Sequence, residues 1–102
     1  MRLSPEEVAA VKRLIAETYG ADAPLRLFGS RVDDRRRGGD VDLHVEIDRA
    51  GPYTVDDLEE ELRLRRRLED ALGGRKVDLL VRRRGDEAGP IDRIARRTGI
   101  VL

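Results

Sequence analysis

The chain has 102 residues, 21 basic and 21 acidic, so its formal net charge is zero; it contains no cysteine. Such a length buries roughly 60 to 68% of its unfolded surface in one core, so residues 1–102 are expected to form a single domain with no room for a separate substrate domain. Balanced charge argues against a general nucleic-acid coat or an acidic-surface binder, the missing thiols exclude disulfides and thiolate metal sites, and the sequence lacks both a membrane-spanning apolar run and a signal peptide at Met1 to Glu7, which together predict a cytoplasmic protein.

The first predicted element is a helix. Ser4 can cap it, Pro5 suits its first turn, Glu7 completes a capping box, and Gly20 ends it after Tyr19. Val8, Val11, Ile15 and Tyr19 recur at helical spacing and form its apolar stripe. Leu25 to Phe28 reads as a short strand ending at Gly29. From Asp40 to Asp48 the alternation is strict: Val41, Leu43, Val45 and Ile47 share one face, while Asp40, Asp42, His44, Glu46 and Asp48 share the other. Gly51-Pro52 breaks this strand, and Thr54 caps a second helix from about Val55 to Leu72, whose stripe would be Leu58, Leu62, Leu64, Leu68, Ala71 and Leu72. A third strand is expected over Lys76 to Arg82, a short helix over Pro90 to Gly99, and an apolar tail at Ile100 to Leu102. The order α-β-β-α-β-α predicts a small α/β (α+β) domain.

The candidate chemistry lies in two of these strands and one turn. Asp40 and Asp42 are two apart on a strand, so their side chains point the same way from α-carbons about 6 to 7 Å apart. Two carboxylates so placed can share a pair of hard cations about 3.5 to 4 Å apart, with phosphate oxygens and water filling the shells. Asp78 would join them if its strand lies beside theirs, and oxygen-only ligands favour Mg2+ or Mn2+ over zinc. Because Asp78 interrupts the apolar run Val77 to Val81, it is expected to have a partner, an arginine being the rival to a metal. Gly29-Ser30 follows the first strand, where backbone N–H groups and the Ser30 hydroxyl can hold phosphate oxygens and the missing β-carbon of Gly29 allows close approach. Arg31 can grip a triphosphate, whereas Arg35 to Arg37 read as a solvated loop balanced by Asp33 and Asp34. His44 could bring a nitrogen ligand from the same polar face, but a lone histidine of this kind is more often solvated; Arg65 to Arg67 and Arg82 to Arg84 read as surface, and Tyr53 as a loop aromatic. By themselves Asp40 and Asp42 would read as a solvated strand face continued by Glu46 and Asp48; the turn and Asp78 favour a metal site instead.

Gly29-Ser30, nine intervening residues, Asp40-Val41-Asp42 and a later Asp78 resemble the signature of the minimal nucleotidyltransferases of the DNA polymerase β superfamily. The flanking Leu27-Phe28-Gly29-Ser30-Arg31, Asp42-Leu43 and Lys76-Val77-Asp78-Leu79-Leu80 are similar too, and the likeness covers nearly the whole chain. The resemblance implies a small mixed sheet of three to four strands with helices packed on one side. It implies transfer of AMP from ATP to a hydroxyl with release of pyrophosphate, using two Mg2+ ions, for which Mn2+ could substitute. In that scheme Asp40 and Asp42 bind both metals, the triphosphate sits on Gly29 and Ser30, and Asp78 binds one metal and helps remove the acceptor proton. Short members of this family are commonly paired with a helical HEPN-domain ribonuclease toxin, for which they act as antitoxin. The resemblance therefore implies a hetero-oligomer with such a partner and a tyrosine hydroxyl of that partner as acceptor, with nucleic acid not expected as a direct ligand. An antitoxin that neutralises its partner by binding alone, its nucleotide site weak or unused, is the alternative. A small-molecule acceptor is disfavoured by the lack of a second domain to enclose it.

Overall fold

Helix α1, Pro5–Tyr19, begins where the local chemistry requires: the Ser4 hydroxyl accepts from the Glu7 N–H at 3.1 Å, and the Glu7 carboxylate accepts from the Ser4 N–H at 2.8 Å. Helix α2, Val55–Ala71, repeats the device with Thr54 and Asp57. The computed structural model describes residues 3–28, 41–85 and 89–102. The remaining elements are β1 Leu25–Phe28, β2 Val41–Ile47, β3 Val77–Arg83, α3 Pro90–Thr98 and β4 Ile100–Val101.

The four strands form one mixed sheet in the order β3-β2-β1-β4. β1 runs antiparallel to both β2 and β4, while β2 and β3 are parallel and joined through α2, the crossover that a parallel pair needs. Alternation decides the two faces of this sheet. Leu25, Leu27, Val41, Leu43, Val45 and Val77 project to one side and pack with Val11, Leu14 and Ile15 of α1 and with Leu64, Leu68 and Leu72 at α2 and its end. Burying that one apolar layer against two amphipathic helices is the main stabilising event in a chain of this size.

The expectation of helices on one side holds for α1 and α2 and fails for α3. Asp92 and Arg96 of α3 bond His44 and Glu46, which alternate with the core residues Leu43 and Val45, so α3 covers the opposite face. Ala95, on the side of α3 that meets the sheet, is fully buried. At Gly99 an added β-carbon would come 2.3 Å from the Ala95 carbonyl oxygen and 3.2 Å from the Arg26 β-carbon, so glycine is needed for the chain to turn closely from α3 into the sheet. What the sequence presents as a tail, Ile100–Val101, is the fourth strand, paired through Leu27↔Ile100 and Arg26↔Val101. The second helix also differs from expectation: Leu64, Leu68 and Leu72 are buried, but Leu58 and Leu62 are exposed. Among the described residues no helix is long and apolar enough to cross a membrane.

Candidate functional site

The parallel pairing of β2 with β3 sets Asp42 directly opposite Asp78. Residues paired in this way on adjacent strands project to the same side of the sheet, from backbones about 4.8 Å apart. That side is the one away from α1 and α2, because Val41 and Leu43 flank Asp42 in the core layer and Val77 does the same for Asp78. Both aspartates are second in their strands, at the amino ends of β2 and β3. Antiparallel β1 presents its carboxyl end there, with Phe28 paired to Asp42. The strand end that leads into Gly29 therefore lies beside Asp42. Gly29, Ser30, Arg31 and Asp40, the other residues singled out from the sequence, lie outside the described residues.

Asp42 is half-buried and Asp78 exposed. Exposure corrects the expectation that Asp78 needs a partner to offset burial. β3 is an edge strand, and water reaches this carboxylate, so no desolvation cost has to be met. Asp42 and Asp78 bring only oxygen donors to one spot on one face. That donor set suits a hard divalent cation such as Mg2+ or Mn2+ and does not suit zinc.

His44 differs from its expected solvation. It is fully buried, and its Nε2 donates to Asp92 Oδ1 at 2.7 Å when Asp92 is ionised. Phe28 packs edge-on against its ring with centroids 6.3 Å apart. With Nε2 engaged in this way, the histidine serves to hold α3 against the sheet. Asp92 is doubly used, since its other oxygen accepts from the Gly89 N–H at 2.8 Å and so fixes the start of α3.

Two residues further along β2, Glu46 gathers three guanidinium groups. Arg96 reaches it at 2.6 Å, Arg26 at 2.8 Å and Arg82 at 3.5 Å. Burial opposes ionisation of Glu46, but hydrogen bonds from Arg96 and Arg26 outweigh it and hold the carboxyl below its usual range. Asp92 is treated alike: burial raises it, the bond from His44 and the Gly89 N–H lower it, and the net direction is down. A carboxyl with a depressed folded-state pKa contributes stability above its unfolded value of about 4 and loses it as pH falls below that. The urea midpoint is therefore expected to fall steeply from pH 5 to pH 3, and Glu46→Gln to reduce that pH dependence; an unchanged slope would remove Glu46 as a contributor.

Arg83 corrects another expectation, that residues 82 to 84 are surface. It is 8% exposed, pairs with Asp57 at 3.1 Å and donates to the Gly51 carbonyl at 3.2 Å. Its guanidinium also lies 5.6 Å from the centroid of the half-exposed Tyr53 ring. This buried charge is tolerated because the carboxylate and carbonyls replace its water. It ties the turn after β2 to the start of α2, at the end of the sheet opposite to Asp42 and Asp78.

Sequence reasoning missed Asp92, Arg26 and Arg96 as partners of the polar face. A signal existed: Asp92 and Arg96 are four apart on a helix, an advance of about 6 Å, which matches the spacing of about 6.6 Å between His44 and Glu46 on a strand. No protein-family model matches the chain, and no curated protein matches it.

Proposed function

We propose that the chain is a Mg2+-dependent nucleotidyltransferase that transfers AMP from ATP to a hydroxyl, a tyrosine of a helical HEPN-domain ribonuclease, and so acts as its antitoxin. The observation that carries this reading is the pairing of Asp42 with Asp78, two carboxylates far apart in sequence and side by side on the face away from the main core. The position of Phe28 beside Asp42 supports it further, because Gly29 and Ser30 come next in the sequence after Phe28.

Bound divalent ions would neutralise charge developing on the α-phosphate and orient the attacking oxygen. Within this reading Asp40 and Asp42 would hold both ions and Asp78 one of them, and the exposure of Asp78 leaves its carboxylate accessible to an incoming hydroxyl. The Gly29 and Ser30 backbone and hydroxyl seat phosphate oxygens, with Arg31 adding a guanidinium. The α-phosphorus–oxygen bond to pyrophosphate breaks as the bond to the acceptor oxygen forms, and the acceptor proton leaves toward the carboxylate at position 78. Rigid strands suit this chemistry, since positioning supplies much of the rate.

Purified protein incubated with magnesium, α-labelled ATP and its cognate helical partner is expected to label that partner, and chelation of the metal to stop labelling. Protection of cells that survives Asp40→Asn and Asp42→Asn undiminished, with no label transferred, would leave binding alone as the function.

A further inference from the structure

The described hydroxyl groups differ in what they are free to do. Thr18 and Thr98 donate to the carbonyls of Leu14 and Ile94, Ser4 and Thr54 cap helices, and the Tyr19 hydroxyl is buried. Tyr53 is presented to solvent: it is 51% exposed, on a loop whose residues 50 to 56 are all exposed, and its hydroxyl bonds the Glu61 carboxylate. The Arg83 guanidinium, 5.6 Å from the ring centroid and itself paired with Asp57, holds the ring in this place.

This contact pairs a nucleophile with a base. Partial desolvation and the bond to Glu61 push the Tyr53 phenol up to about 12, so it keeps its proton at neutral pH and needs an acceptor for that proton before it can attack. Glu61 is suited to the task. Burial raises its carboxyl above the usual range and outweighs the opposing bond from Tyr53, which makes it a stronger base than an exposed carboxylate. Thr54 gives the contrast: its hydroxyl donates to Asp57 at 2.9 Å, but the Thr54 N–H and hydroxyl, with Arg49 and Arg83, hold that acid far below its usual range. Asp57 is therefore a poor base.

We propose that Tyr53 is itself an acceptor, adenylylated on its hydroxyl by the Asp42 and Asp78 site of a second copy of this chain. The inference rests on the transfer chemistry proposed above and adds a substrate to it. Transfer has to pass between molecules, because Arg83, against which the ring lies, is five residues along β3 from Asp78, about 16 Å, and on the opposite face of the sheet. The Tyr53 oxygen bonds to the α-phosphorus of ATP as the bond to pyrophosphate breaks, and the phenolic proton passes to Glu61. The purified full chain with Mg2+ and α-labelled ATP, and no partner protein, is expected to label itself; trypsin should release the label on residues 50–63, in which Tyr53 is the one tyrosine. Tyr53→Phe should abolish that label and leave labelling of the helical partner unchanged, and Glu61→Gln should slow self-labelling by about a hundredfold. Mixed with the Tyr53→Phe chain, an Asp42→Asn chain should become labelled. Labelling of the partner with none on Tyr53 would overturn this inference alone and leave the proposed function standing, whereas absence of both labels would overturn both. Self-labelling that survives Tyr53→Phe would overturn Tyr53 as the acceptor. A labelled parent chain beside an unlabelled mixture would overturn transfer between copies.

Discussion

Under the proposed function, Asp78→Asn is expected to lower AMP transfer by about a hundredfold or more, the scale of losing one stabiliser of transition-state charge, while leaving stability within about 0.5 kcal/mol of the parent. The two effects separate because of where the residue sits. Asp78 is exposed on an edge strand, so the neutral amide breaks no buried pair. Its backbone register opposite Asp42 depends on the ladder of β2 with β3, which the substitution does not touch. Asp42→Asn should remove transfer to the same degree but alter stability more, because Asp42 is half-buried. Labelled transfer to the partner and urea unfolding of both variants test this. Full activity in Asp78→Asn would take that residue out of the site. A stability loss of several kcal/mol there would assign it a structural role.

Leu68→Ala is expected to destabilise the fold by about 2 to 5 kcal/mol, from lost burial plus the cavity left behind. For a domain of this size each kcal/mol moves Tm by about 4 to 8 °C. Leu62→Ala on the same helix should cost much less, about 1 kcal/mol or below. The contrast follows from burial: Leu68 is completely inaccessible among Val11, Leu14 and the β2 valines, whereas Leu62 faces outward. Chemical denaturation of the two variants side by side decides it. Equal losses would mean that α2 buries both faces in the free chain.

Local signals were legible where neighbours in sequence determine the outcome. Ser4 with Glu7 and Thr54 with Asp57 mark helix starts because each capping box closes within four residues, and both helices begin where those signals put them. Strand β2 was legible because a period of two divides it into faces irrespective of what covers them. The stripe of α2 was only half legible. Leu58 and Leu62 satisfy helical spacing as well as Leu64 and Leu68 do, and spacing cannot say which side meets the sheet.

The sequence by itself determined the α-β-β-α-β-α order, the alternation that puts Asp42 and His44 on one face of β2, and the residue types that suit metal and phosphate. Only the tertiary structure decided what that face becomes. Parallel pairing of β2 with β3, separated by an entire helix, sets Asp42 opposite Asp78, and docking of α3 turns a strand face that reads as solvated into a buried His44–Asp92 contact beside an arginine-bound Glu46. Periodicity is a property of the local backbone, whereas register and coverage depend on segments brought together across dozens of residues. For that reason the chemistry of each residue was readable along the chain, while its partners were not.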